Sequence, residues 1–261
     1  MRGTDGISIT VAGLALAGLA AFLAGIVNAL AGGGTLITFP VLVATGIPEV
    51  VANVTNTVAL CPGYLGGAFA QRRDLAGQGP RIRILVPVAV LCGILGGILL
   101  LFISAEVFHL LVPFLVLFSA VLLAVQERVR DWISLAAAKT PGDDRTASAV
   151  LPVGIAAVYN GYFGAGGSVV ILAVLGLFIR DTLTRLNALK QVVTLAANVA
   201  AAVFFLFSGY VLWVTAIVMA IGALAGGAAG GHIAGRIDPD TLRRAVVSIG
   251  IVVGIVLLAR L

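Results

Sequence analysis

Two short segments carry residue types suited to holding a small anion. Gly33, Gly34 and Thr35 open "GGTLITFPVL", and Gly166, Gly167 and Ser168 open "GGSVVILAVL". Where paired glycines meet the start of a helix, the first peptide N–H groups are free and the helix dipole adds roughly half a positive charge. A hydroxyl at such a boundary is a natural N-cap, the role expected of Thr35 and Ser168. Helix starts of this kind hold anions without a metal or cofactor, and neither is expected here. Further along each half come polar groups in an apolar setting: Asn53, Thr55 and Asn56 in "ANVTNTV", and Asn187, Lys190 and Gln191 in "LNALKQV". Asn53 and Asn56 share a helix face, as do Asn187 and Lys190, because residues three apart are neighbours on a helix. Lys190 stands well inside its apolar segment, with no Asp or Glu within a helical turn in sequence. An ammonium at that depth faces a cavity, a partner or a ligand. Amides, hydroxyls and one ammonium together make a donor set for an oxyanion.

These groups must be positioned by elements dissolved in lipid. Of 261 residues, 61% are hydrophobic and 10% charged, too few charges to wet the surface of a soluble domain of this size. Apolar runs of membrane-spanning length recur along nearly the whole chain. The expected class is an all-α polytopic membrane protein in a lipid bilayer. The sequence pI near 9.8 is then a topology signal rather than a nucleic-acid footprint, and no nucleic-acid partner is expected. Cys61 and Cys92 lie in apolar runs without metal spacing and read as small buried hydrophobes. Residues from Ile7 to Ala31 outrun a signal-peptide core and read as a retained helix.

The spans expected are Ile7–Ala31, a short Thr35–Thr45, Glu49–Ala70, Ile84–Ile103 and Glu106–Val125. A polar linker over 126–147 follows, then Ser148–Phe163, a short Ser168–Phe178, Asp181–Phe207, Tyr210–Gly235 and Pro239–Ala259. Residues 1–125 and 148–261 thus form two repeats of five elements, and the duplicated glycine segments occupy the same place in each. Four segments, Arg72–Arg83, Arg128–Arg145, Arg180–Lys190 and Arg236–Arg244, hold 14 of the 16 Lys and Arg. Placing them in the cytoplasm puts both termini outside and gives each repeat an odd number of crossings, so the repeats are inverted. The two short elements reach only about half of a 30 Å hydrocarbon core. Each therefore folds back on its predecessor as a broken, re-entrant hairpin, with glycine tips at Gly32–Gly34 and Gly164–Gly167. Gly93, Gly97 and "GALAGGAAGGHIAG" read instead as close helix packing.

"AGGGTLITFPVL" and "GAGGSVVILAVL", with "ANVTNTVAL" and "LNALK" behind them, resemble the sulfite exporter TauE/SafE family over nearly the whole chain. Ala165 interrupts the second glycine run, and Ala173 stands opposite Pro40. The resemblance implies transport of sulfite, sulfonates or similar sulfur-containing anions across the inner membrane by a homodimer. The residues themselves leave a passive anion channel open. They speak against an ATP-driven pump, since "GGGTLIT" lacks the phosphate-binding Lys. They speak equally against an intramembrane enzyme, since Cys61, His109 and Ser168 have no partner base at a recognisable spacing. His109 and His232 read as structural, and Arg185 as reaching for the interface.

Overall fold

The computed structural model describes residues 9–30, 33–139, 146–233 and 239–261. Gly32, Arg2, Asp5, Gly235 and Arg236 fall outside this set, so nothing further is drawn from them. The described residues form ten α-helices and no strand: α1 (Val11–Leu30), α2 (Thr35–Ala44), α3 (Glu49–Ala70), α4 (Gly79–Phe102), α5 (Ala105–Lys139), α6 (Thr146–Tyr162), α7 (Gly167–Phe178), α8 (Leu183–Leu206), α9 (Trp213–Ile233) and α10 (Pro239–Leu258). A 3-10 turn at Arg72–Leu75 joins α3 to α4. Helices α1, α4, α5, α8, α9 and α10 are long and apolar enough to cross a bilayer. Helices α2 and α7 are short and apolar, about 15 and 18 Å long from their 10 and 12 residues. The stretch read as a linker is largely helix, because α5 runs without a break to Lys139 and α6 begins at Thr146.

Lipid sets which side chains face outward. Large apolar residues such as Leu91, Ile155 and Ile221 are exposed, whereas Ala17, Ala20, Ala21 and Ala24 of α1 are buried. Without a hydrophobic drive between helices in lipid, small residues gather where helices approach closely. Gly226 of α9 lies against the carbonyl of Phe22, and Gly222 against that of Gly18. In the matching pair, Gly96 of α4 faces the carbonyl of Val158 and Gly161 of α6 that of Gly93. The small-residue stripes thus serve packing, as their spacing suggested. The first half of α3 is the exception to lipid contact: Val51 through Thr57 are all buried, whereas Leu65 and Phe69 nearer its end are exposed.

The packing repeats between halves. Helix α1 packs on α9 and α6 on α4; α3 packs on α9 and α8 on α4; α2 touches α10 and α7 touches α5. Helices α3 and α8 pair with each other, as do α5 and α10. Exchanging each helix for its counterpart five places on leaves this set unchanged.

Charges gather at the two ends. Asp181, between α7 and α8, accepts from Arg81 of α4 and Arg185 of α8. Gln78 donates to the Arg185 carbonyl and Arg185 to that of Ala76, so the α3–α4 connection docks on the start of α8. Glu127 of α5 pairs with Arg130 at 3.0 Å and with Arg243 of α10 at 2.6 Å. At the other end Glu49 opens α3 and lies 2.6 Å from His109 of α5. The end of α2 returns beside the start of α1, where Thr45 is 3.6 Å from the position a Gly13 side chain would take. The end of α7 instead leads to Asp181.

Burial alone would raise the Asp181 carboxyl, but hydrogen bonds from Arg81, Arg185 and the Thr182 amide outweigh it and hold it below the ordinary value. A depressed carboxylate stabilises the fold above its unfolded pKa and loses that contribution as pH falls through its folded pKa. Asp181→Asn should cost on the order of 1–3 kcal/mol at neutral pH and remove that acid-side loss, read from thermal melts in detergent between pH 7 and 3. Gly96→Val, whose Cβ would meet backbone of α6, should destabilise by about 1–3 kcal/mol in the same assay. Gly63→Ala, with open space around it, should be neutral or stabilising by up to about 1 kcal/mol.

Candidate functional site

Both glycine tips set a left-handed glycine beside an asparagine side chain. At the first, Gly33 takes a left-handed φ of 91° and Gly34 donates its amide to Asn28 Oδ1 at 2.8 Å. A Cβ on Gly34 would fall 2.8 Å from the Asn28 amide nitrogen, so only glycine lets the asparagine reach over the start of α2. At the second tip Gly164 and Gly166 are left-handed, and the side chain of Asn160 lies close against Gly167 but without a hydrogen bond to it. Thr35 and Ser168 are not the N-caps expected from sequence. Gly34 and Gly166 cap the helices without a side-chain bond; Thr35 is the first residue of α2 and Ser168 the second of α7. The left-handed turn needed before α7 excludes a β-branched or hydroxyl residue from the cap position. Among the described residues, the amides of Thr35 and Ser168 have no hydrogen-bond partner.

The tips converge on one turn of α5. Gly33 abuts Leu123, and Gly166 abuts Ser119 and Leu122. The carbonyl of Ala165 accepts from Tyr159 at 2.7 Å and lies 2.9 Å from the Ser119 hydroxyl. Phe39, one turn into α2, meets Phe163 of the second tip edge-on with centroids 5.2 Å apart. Asn53 of α3 donates to the Tyr162 carbonyl at 2.8 Å.

Two contacts fix the register of α3 on α8. Cys61 Sγ lies 3.7 Å from the Asn198 carbonyl, and Asn187 donates to Gln71 at 2.7 Å. The helices are therefore antiparallel, and Asn56 and Lys190 stand some twelve helix positions apart, about 18 Å. Asn53 and Asn56 lie on one side of the α3–α8 crossing, while Asn187, Lys190 and Gln191 lie on the other. Lys190 donates to Asn187 Oδ1 at 2.7 Å, one turn back along α8, so its ammonium points toward the end that carries Asp181. Thr55 accepts from the Leu212 amide at 3.1 Å and secures the chain before α9. Gln191 is half-buried.

At the crossing itself stand residues that the sequence pattern did not single out. The Thr35 hydroxyl faces the Tyr64 phenol. Asn198 Oδ1 lies 3.8 Å from where a Gly164 side chain would be, and its amide donates to the Thr194 carbonyl. Buried polar atoms without a partner cluster around the tips: both amide atoms of Asn160, Asn53 Oδ1, Asn56 Oδ1, Tyr162 Oη and Thr194 Oγ1. An unpaired buried donor or acceptor costs roughly 1–3 kcal/mol, so these groups are poised for a polar occupant. Asn28 and Asn160 could have been found, since each heads its duplicated glycine segment. Tyr64 and Asn198 could not, because they differ between halves.

The sulfite exporter TauE/SafE family profile matches residues 17–257. A probable membrane transporter protein of Haemophilus influenzae is 29% identical over 211 residues, covering 78% of each chain. The probable membrane transporter protein YfcA of Escherichia coli K12 is 27% identical over 222 residues, covering 82% of this chain and 77% of its own. The probable membrane transporter protein ORF9 of a Sinorhizobium species is 27% identical over 257 residues, covering 94% of this chain and 92% of its own. No solved structure matches significantly. Gly167→Ala would drive a methyl into Asn160 and displace the second tip. Solute flux in proteoliposomes should fall about tenfold or more while far-ultraviolet circular dichroism stays unchanged.

Proposed function

The chain belongs to the sulfite exporter TauE/SafE family, and from that membership we propose that it is a multi-pass membrane transporter exporting small sulfur-containing anions by alternating access. The cargo is sulfite or a sulfoacetate-like sulfonate. One observation carries the reading: two half-length helices bring their N-termini to the same turn of α5, among buried polar groups that lack partners. Gly33, Gly34 and Thr35 on one side and Gly166, Gly167 and Ser168 on the other lend amides and dipoles to the anion. Thr194, Asn198 and Asn160 supply neutral donors beside them.

The opposite courses of α2 and α7, one leading to the Glu49–His109 end and the other to Asp181, support an inverted relation of the two halves. Rocking of such halves about a central site opens it to each face in turn. The gathering of Arg72–Arg83, Arg180–Arg185, Arg130 and Arg243 at one end supports a cytoplasmic placement of that end, with both termini outside. The inner membrane and a homodimer complete the proposal.

An anion leaving an inside-negative cell gains about 2.3 kcal/mol per charge per 100 mV, so membrane potential alone can drive export. Proteoliposomes holding sulfite or sulfoacetate should release it when a potential is clamped in the absence of a proton gradient. Flux that vanishes without the proton gradient refutes uncoupled export, and thermal melts unmoved by sulfite, sulfoacetate, taurine and sulfate refute the substrate class.

A further inference from the structure

We infer that Lys190, Asn187 and Arg130 form a second oxyanion station, separate from the tip-level site and nearer the basic end, so that the anion is bound twice on its path. The inference rests on the transport reading above but concerns where the charge is recognised. Lys190 is two turns, about 12 Å, from Asn198 along α8. Its ammonium does not bridge that gap, because it turns back to Asn187 Oδ1 at 2.7 Å, eleven residues or about 16 Å before Asn198. A sulfonate held by hydrogen bonds of about 3 Å at the tips is out of its reach.

The hydrogen-bond partner of Lys190 is a neutral amide, and among the described residues no carboxylate pairs with it. Helix α5, which carries Arg130, touches α8, and the positive charge of Arg130 reaches Lys190 across that contact. Glu127 is shared by Arg130 and Arg243, with Asp240 on the far side of Arg243, so this carboxylate is already committed twice. An ammonium and a guanidinium carried on touching helices beside an amide are relieved by an anion, and Asn187 can redirect its amide N–H from Gln71 to that anion. Because Gln71 caps the end of α3 and Asn187 belongs to α8, the same exchange loosens the seam between the two central helices at the basic end. The station takes a small tetrahedral or pyramidal oxyanion and concentrates it before the neutral site, where dipoles rather than a full charge hold it.

Equilibrium binding of radiolabelled methanesulfonate to the purified, full-length protein tests this. Two molecules per chain are expected, one weakening several-fold when ionic strength is raised and one nearly insensitive to it. Lys190→Gln should keep its monodisperse elution, lose the salt-sensitive molecule and leave the other within twofold. Lys190→Arg should retain both, which separates loss of charge from loss of fold. A single molecule in the wild type that Lys190→Gln abolishes overturns the second station while leaving the transporter reading intact. Two molecules that both survive Lys190→Gln overturn it as well. No binding to the wild type overturns both the station and the proposed substrate class.

Discussion

The structure depends on a constraint that lipid imposes on the backbone. A chain that turns inside a bilayer exposes peptide groups that water cannot reach, and each must find a partner in the protein. At the first hairpin Asn28 accepts from the amide of Gly34; at the second Asn160 lies against Gly167 without a hydrogen bond. The second turn is secured from outside, with Ala165 held by Tyr159 and Ser119 and the carbonyl of Tyr162 by Asn53. Among the described residues the amides of Thr35 and Ser168 are left without a partner, which is what the proposed anion site asks of them.

Around these turns the usual distribution of side-chain size is reversed. Alanine and glycine line the helix contacts, and leucine, isoleucine and valine face the lipid. Close backbone approach between α1 and α9, and between α4 and α6, makes two rigid slabs on either side of the α3–α8 pair. The polar cluster sits between the slabs, where α3 is buried along its first half. A half-helix that lipid does not touch can carry Asn53, Thr55, Asn56 and Thr57 without the penalty that would bar them from a lipid-facing position.

Much of this architecture was legible in the sequence. Apolar run lengths located the helices, and the doubled glycine segments located the two turns. Charge could not reveal that α5 continues into the polar stretch, because Glu127 and Arg130 suit an aqueous helix as well as a loop. The site was less legible. Duplication shows that Asn53 corresponds to Asn187 and Asn56 to Lys190, but residues exchanged by a two-fold relation are close only if they lie near its axis. By the register of α3 on α8, Asn56 and Lys190 are about 18 Å apart and Asn53 and Asn187 about 28 Å apart. The positions near the crossing, Tyr64 and Asn198, have different chemistry in the two halves, so repetition could not mark them.

Helix α5 deserves a mechanical reading. Its 35 residues make a rod of about 52 Å, longer than the hydrocarbon core is thick, so part of it stands clear of the membrane. Both turns rest on that one rod at Ser119 to Leu123, and its distal portion is tied through Glu127 to α10. A slide or tilt of the rod shifts the seats of both loops together. Both loops thus share a single support, and whatever displaces it reaches the two of them at once.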